Sequence, residues 1–538
     1  MQSPVEIFPL PKRFMFGYEN SDTFFEQQTG PMKMAAADDS STVYDLLIVG
    51  GGVNGTGIAR DASGRGASVL LVEQDDLASY TSSASTKLIH GGLRYLEYYE
   101  FRLVREALIE RDRLLAIAPH IMWPLRFVLP HSPEQRPVWM IRLGLFLYDH
   151  LAPKMKLPKS RALNLNTHSA GQPLQDQYKK GFVYSDGWVQ DSRLVVLNAM
   201  DAANRGADIR TRTRLVSARR VNGIWEAEIE DMRKGGTKTV RAKGVVNAAG
   251  PWVARLLSNQ LDLPNSKSVR LVKGSHIVVP QIFDGPQCYI FQNPDKRIVF
   301  AIPYEQRFTL IGTTDVTWNE EPGLVQISPE EVKYLCESVN RYFKEDIKPA
   351  DVVWSYAGLR PLYDDAAANA SAVTRDYVLD LDDTDGAPLL SIFGGKITTF
   401  RKLAEHALEK LAPVLPAVGG YSWTADAALP GGDLGTGGFE AALNRFRDAA
   451  PFLSLPFAWR LMRTYGMRAY DVVGTARSLS DMGEDFGQGM TANEVDYLIA
   501  NEWARAPEDV LWRRTKIGLH MTEEQRQRVG AYIKEKVG

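Results

Sequence analysis

The run Asp45-Leu46-Leu47-Ile48-Val49-Gly50-Gly51-Gly52-Val53-Asn54-Gly55 constrains this chain more than any other segment. A short apolar run rich in branched side chains is the pattern of a buried parallel strand. Glycines end it at once, in the spacing G-x-G-x-x-G. In that spacing the first glycine makes a tight turn, the second lets backbone approach a pyrophosphate, and the third lets helix and strand pack closely. A helical pattern follows at Ile58, Ala59 and Ala62 and stops at Gly64 and Gly66. Ser68–Val72 then reads as a second buried strand, closed by Glu73. Free N–H groups and the dipole at such a helix start favour an anion. An acid at the place of Glu73 accepts hydrogen bonds from a ribose diol and repels a 2′-phosphate. The glycines alone are weak evidence. Strand, glycines, helix, strand and acid in this order point to an adenine dinucleotide other than NADP.

NAD and FAD share this fingerprint, and two later segments favour FAD. Val246-Asn247-Ala248-Ala249-Gly250-Pro251-Trp252 resembles the strand end that returns to the dinucleotide in FAD oxidoreductases. Phe393-Gly394-Gly395-Lys396-Ile397-Thr398 reads as a second glycine turn opening a helix. That helix start, with Lys396, would put positive charge beside the flavin N1/O2 edge. A plain helix cap explains the same segment. Thr81-Ser82-Ser83-Ala84-Ser85-Thr86-Lys87 is dense in hydroxyls, as a phosphate-contacting loop or an ordinary solvated loop would be. His90-Gly91-Gly92-Leu93-Arg94-Tyr95 suggests backbone passing close to a flat ligand.

At 538 residues the chain has room for two to four domains of roughly 150 residues. With 63 basic and 65 acidic residues, the net charge of −2 gives no global reason to expect nucleic acid or an anionic membrane as partner. Two cysteines, Cys288 and Cys336, are not a disulfide framework, so a reducing compartment is expected. No stretch reaches the roughly 18 apolar residues of a membrane span. Residues 1–43 read as an extension, neither signal nor transit peptide, because Glu19, Asp22 and Glu26 follow Lys12 and Arg13 without an apolar core. Helical patterns fit Phe101–Leu115 and Pro329–Phe343, and strands dominate from Arg270 to Thr314. After Pro430, glycines mark a linker, and the remainder reads as helices to Val537. The expected fold is α/β, α+β overall. A doubly wound FAD-binding Rossmann-like domain (44–430) would carry an inserted antiparallel-sheet substrate domain (roughly 115–190 and 265–375), with a helical C-terminal domain (431–538).

Together the segments resemble one family. TSSASTKLIHGGLRYLEYYEFRLVREALIERDRLL, RLVKGSHIVVP, IGTTD, AGLRPL, VTRDY, FGGKITTFRKLAE and EDVLWRRTKIGL, in this order, are similar to the aerobic FAD-dependent glycerol-3-phosphate dehydrogenases of bacteria. The resemblance implies oxidation of sn-glycerol 3-phosphate to dihydroxyacetone phosphate, with hydride passing from C2 to flavin N5 and electrons to a membrane quinone. It implies cofactor contacts from Gly50, Gly52, Val53, Asn54, Gly55, Glu73, Thr81, Ser82, Ser83, Thr86, Leu88, His90, Gly91, Val216, Ala249, Gly250, Gly395, Lys396, Ile397 and Thr398. A phosphate dianion suits arginine, and Arg94, Arg360 and Arg375 stand in matching motifs, with Tyr95 beside Arg94. His276 matches the family's active-site histidine. It is read as the base for the hydroxyl proton or as a substrate contact, with Arg360 polarising the C2 oxygen and Lys396 assisting.

The family's quinone implies a peripheral or monotopic protein on the inner face of a bacterial plasma membrane, cytoplasmic side, and admits a homodimer. Trp139–Leu147 and Lys154–Arg161 are candidate membrane contacts; core packing and a solvated loop explain either segment as well. Asp380–Gly386 superficially resembles a calcium loop, but Asp385 stands where glycine is needed, so no metal is expected. Two rivals remain on the same fold. One is an oxidase passing electrons to oxygen, and the other is an amine or amino-acid oxidase.

Overall fold

The structure is a computed structural model that describes residues 42–153, 155–263, 267–363, 376–384 and 386–538. Arg375 and nearly all of the N-terminal extension lie outside the described residues.

The first sheet runs in the order Val378–Asp382, Leu389–Phe393, Thr237–Asn247, Val43–Val49, Val69–Glu73, Asp208–Thr211. The strands from Leu389–Phe393 to Asp208–Thr211 are parallel; Val378–Asp382 is an antiparallel edge. A hairpin, Thr213–Val221 and Ile224–Asp231, extends from Thr237–Asn247. Leu46, Leu47 and Ile48 are fully buried, which is why this strand reads as a continuous apolar run without alternation. Helix α1 (Val53–Gly64) packs on one face with Asp191–Asn204 and Phe400–Leu411. The hairpin and Val253–Asn259 close the other. This is the doubly wound dinucleotide domain.

A second, ten-stranded sheet is antiparallel except where Cys288–Gln292 lies parallel to Met122–His131. The strand Val269–Pro280 lies between Phe308–Gly312 and Trp354–Tyr363. One face packs on the helix Pro329–Asn340. The other packs on α2 (Phe101–Ile117) and α3 (Val138–His150). Leu88–Ile89 joins this sheet as an edge strand, ahead of residue 115.

The C-terminal part has its own core from Leu434 to Ile533. It is helical apart from a hairpin, Asp485–Gly487 with Met490–Thr491, that the sequence reading did not foresee. Among the described residues, no helix is long and apolar enough to cross a membrane. Core packing accounts for only one side of Trp139–Leu147. The segment forms α3, whose inner side buries Leu145 and Tyr148 while its outer side leaves Trp139 65% and Phe146 58% exposed, with Met140 and Leu143.

Candidate active site

The glycine turn shapes a cradle that only glycine permits. Gly50 has φ +116°, and a Cβ there would lie 2.5 Å from the Ala248 carbonyl oxygen. A Cβ on Gly55 would lie 2.0 Å from the Gly50 oxygen, so the helix start could not close on the strand. At the start of helix α1 the N-cap Gly52 offers no side chain and the first turn no acid, while Ser82 Oγ accepts from the Val53 N–H at 3.0 Å, so this end suits an anion. Asn54 Oδ1 beside it is buried without a partner. Glu73 accepts from the backbone N–H of Gly51 at 2.7 Å and of Asp75 at 2.9 Å, and burial pushes its carboxyl up to about 7.

Two cavities of about 240 and 380 Å³ meet over this turn and share Gly52, Thr81, Ser82, Ala248 and Gly250. The smaller is lined by Glu73, Arg214, Leu215 and Ala249, and the larger runs on to the second sheet. Their shared lining, the acid-free helix start and the glycine cradle fit an extended dinucleotide. The second glycine turn closes the far side. Gly394 and Gly395 have φ of +81° and +109°, and Ile397–Thr399 leads into the helix Phe400–Leu411. Gly395, Lys396, Ile397 and Thr398 line the larger cavity, and Lys396 Nζ lies 4.0 Å from the Tyr95 ring centre.

Opposite the cradle, His276 reaches the cavity from Val269–Pro280 and is 2% exposed. Its Nε2 lies 2.9 Å from Thr86 Oγ1, and its Nδ1 is buried without a partner among the described residues. Its ring stacks on Tyr356 at 4.7 Å, and Lys87 Nζ sits 4.8 Å from the centre of the Tyr356 ring. Lys87 is itself paired with Asp191 at 2.8 Å. Burial, then the charges of Lys87 and Arg360, hold the imidazole well below its ordinary pKa, which favours the neutral ring. Arg360 lines the same cavity and is paired with Asp315 at 2.5 Å. Arg94 also lines it and has no ion-pair partner among the described residues. Two glycines make the room. A Cβ on Gly312 would lie 2.1 Å from His276 Cδ2, and one on Gly274 would lie 2.2 Å from Arg360 Nη2.

Of the expected site residues, Gly50, Gly52, Val53, Asn54, Glu73, Thr81, Ser82, Thr86, Leu88, His90, Arg94, Tyr95, Ala249, Gly250, His276, Arg360 and the Gly395–Thr398 turn line the two cavities. Four stand off them. Gly55 packs beneath Gly50. Ser83 turns its hydroxyl back to the Tyr80 carbonyl. Gly91 gives its N–H to Tyr148, leaving Gly92 to face the cleft. Val216 sits in an irregularity of the hairpin, where the register shifts between Leu215 and Ser217, so its backbone has no ladder partner there. The sequence reading missed Tyr356 and Asp191, which no quoted motif contains, and gave no role to Lys87, which closes the hydroxyl-rich run. It also missed Asp186, which lines the cavity and accepts from Tyr148 Oη at 2.6 Å and from Arg111 at 3.2 Å. Burial pushes the Asp186 carboxyl up to about 6 against the pull of Arg111.

Comparison with known proteins agrees with this geometry. The family model described as FAD dependent oxidoreductase matches residues 45–401, and that of the C-terminal domain of alpha-glycerophosphate oxidase matches 422–537. The chain is 55% identical over 482 residues to D-erythritol 1-phosphate dehydrogenase of Brucella abortus, covering 90% of this chain and 96% of that protein. It is 53% identical over 492 residues to glycerol-3-phosphate dehydrogenase of Pseudomonas aeruginosa, covering 91% and 95%. The solved glycerol-3-phosphate dehydrogenase of Bacillus halodurans, complexed with FAD, superposes with a TM-score of 0.72 at 28% identity, covering 93% of this chain and 95% of that one. The chain is an FAD-dependent oxidoreductase and belongs to the family of the glycerol-3-phosphate dehydrogenases.

Proposed function

We propose that the protein oxidises sn-glycerol 3-phosphate to dihydroxyacetone phosphate and delivers the electrons to a membrane quinone. One observation carries the reading. A neutral histidine and two arginines converge on a single cleft that continues from the dinucleotide cradle. Arg94 and the free donors of Arg360 suit a phosphate dianion, and Arg375, outside the described residues, is a proposed third donor. His276 is suited to accept the hydroxyl proton, and Thr86 fixes its ring. FAD bound in the cradle would supply the hydride acceptor. Lys396 and the helix start behind it favour negative charge at that end of the cleft.

A second reading is specifically favoured by the 55% identical relative named for D-erythritol 1-phosphate. Both compounds present a secondary alcohol next to a phosphorylated carbon, so the same residues would serve either one. The test is anaerobic bleaching of the purified flavoprotein. Glycerol 3-phosphate is expected to bleach it within the mixing time of a cuvette, and unphosphorylated glycerol is expected to leave it oxidised. The ratio of kcat/KM for the two phosphates ranks the readings. No bleaching by either phosphate would end both, and peroxide release in place of quinone reduction would favour an oxidase.

The outer side of α3 supports a peripheral membrane protein. Trp139, Met140, Leu143 and Phe146 form one apolar strip, extended by Tyr98, Tyr99 and Phe101. Both cysteines are free and buried, in keeping with a reducing compartment and hence the cytoplasmic face of a plasma membrane. A Trp139→Glu, Phe146→Glu double variant is expected to lose sedimentation with anionic lipid vesicles by tenfold or more while still bleaching with substrate. Undiminished sedimentation would remove α3 from the interface.

A further inference from the structure

Lys87 and Asp191 form an ion pair, each residue 1% exposed, that lines neither of the two cavities. Burying such a pair is costly unless its donors and acceptors are used. Lys87 Nζ donates to both Asp191 oxygens, at 2.8 and 2.9 Å, and to the Ser83 carbonyl at 3.1 Å. Asp191 opens the helix Asp191–Asn204. It also accepts from the Ser192 N–H at 2.9 Å, the Ser85 N–H at 3.2 Å and the Ser85 hydroxyl at 2.7 Å. Lys87 has φ +60°, a left-handed conformation that a lysine keeps only where its surroundings enforce it. The pair therefore clamps residues 83–87 against the start of a helix.

Two arms run from this clamp to the imidazole. Thr86 stands between the clamped residues Ser85 and Lys87, and its hydroxyl lies 2.9 Å from His276 Nε2. Tyr356 donates its Oη to the Ser85 carbonyl at 2.8 Å. The same ring has Lys87 Nζ 4.8 Å from its centre and stacks on the imidazole at 4.7 Å and 15°. We propose that Lys87 and Asp191 are positioning residues for His276, fixing the imidazole in the cleft through the Thr86 hydroxyl and the Tyr356 ring. This rests on the reading of His276 as acceptor of the hydroxyl proton. A single hydrogen bond leaves a ring free to swing, and a stack alone lets it slide. Together they leave one placement, as proton transfer across a hydrogen bond requires. The ammonium adds a second effect, because a tyrosine ring that already holds a cation is a poorer neighbour for an imidazolium. Arg360 faces the imidazole as well and acts in the same direction, although it is paired with Asp315. Glu331, from Pro329–Asn340, is taken up by Ser275 and Lys273. Glu305 and Lys516, in the field of Lys87, offset one another.

The test is a double-mutant cycle on the holoenzyme, read as anaerobic flavin reduction by glycerol 3-phosphate. Lys87→Met, Asp191→Asn removes the pair without leaving a lone buried charge. Its maximal reduction rate is expected to fall about 30-fold, as for a base displaced by a fraction of an ångström. The half-saturating substrate concentration should stay within twofold, and the flavin content should not change. In a His276→Ala background the same two changes are expected to cost less than threefold, because nothing is left to position. Should this variant misfold, Tyr356→Leu removes the stack and leaves the ion pair. It is expected to lose tenfold in the parent background and almost nothing in His276→Ala. An equal loss in both backgrounds, an unchanged rate, or a loss confined to substrate affinity would overturn the proposal. A parental rate in His276→Ala alone would instead defeat the base assignment on which it rests.

Discussion

Replacing His276 with Ala is expected to slow flavin reduction by substrate about 10³-fold while leaving FAD bound, the midrange for loss of a positioned base. The ring belongs to the second sheet and makes no part of the glycine cradle, so cofactor retention should not change. Among the described residues its ring bonds only to Thr86 and Nδ1 has no partner, so one nitrogen is open to a proton without breaking the fold. The pH dependence discriminates a base from a mere contact. The imidazole is held well below its ordinary pKa by burial and then by Lys87 and Arg360, so it stays neutral where a solvated histidine would charge. The parent enzyme should therefore show no acid limb near 6.5 from this residue. A limb near 6 would report the substrate phosphate, whose second ionisation lies there, or Asp186. The same shift has a stability consequence. The unfolded chain takes up this proton below about 6.5 and the folded one does not, so stability is complete above that pH and declines below it. Added imidazole should restore part of the lost rate in His276→Ala by filling the vacated space. A normal reduction rate in the variant, or a loss with no rescue and weakened FAD binding, would remove His276 from the role of base.

What the sequence disclosed follows from how local each signal is. The opening unit was readable because strand, turn, helix and acid are contiguous, and each glycine answers to a backbone approach of a few ångströms. His276, Arg94 and Arg360 were reachable only through resemblance, since their meeting depends on a sheet that pairs residue 89 with 187 and 276 with 356. Tyr356 escaped because stacking on a histidine ring leaves no spacing rule, and the role of Lys87 escaped because it lies over the Tyr356 ring and pairs with Asp191, both remote in sequence. Asp315 escaped as the partner of Arg360 for the same reason, although it stands in a quoted motif. The fate of α3 was not legible at all. Its apolar residues fall on both sides of the helix, so periodicity could not tell a core helix from one with an uncovered face. Val216, expected to contact the cofactor, lies off both cavities at a shift of register within the hairpin, which has no reliable mark in composition.

Asp76→Asn is expected to cost about 3–5 kcal/mol and to lower the unfolding midpoint by several degrees, because it uncovers buried cations. Asp76 follows Glu73 by one short turn and lies at the junction of the dinucleotide domain and the C-terminal part. Arg514 grips it with two hydrogen bonds of 2.5 and 2.8 Å, Arg513 adds a third at 2.7 Å, and Arg212 approaches to 3.6 Å. Both Asp76 and Arg514 are buried. Burial alone would raise the carboxyl pKa. Arg514 first, then Arg513 and Arg212, overcome it and hold the group at about 2. A fall of this size from the ordinary carboxylate value, at about 1.4 kcal/mol per pH unit, corresponds to roughly 2–3 kcal/mol. The sign is that of a depressed acid. The contribution is complete above the unfolded pKa near 4 and is lost as pH falls toward 2, so acid should loosen this junction early. Asp76→Asn removes the charge and leaves Arg514 and Arg513 facing each other, with Glu502 and Asp509 as their remaining partners. The loop that Asp76 anchors through Ser79 lines the smaller cavity, so weaker FAD retention should accompany the lower midpoint. Removing both partners in Asp76→Leu, Arg514→Met should recover part of the loss, since Arg514 no longer stands uncompensated while Arg513 and Arg212 keep Asp509 as a partner. An unchanged midpoint and full flavin content in Asp76→Asn would mean that this cluster does not hold the C-terminal part in place.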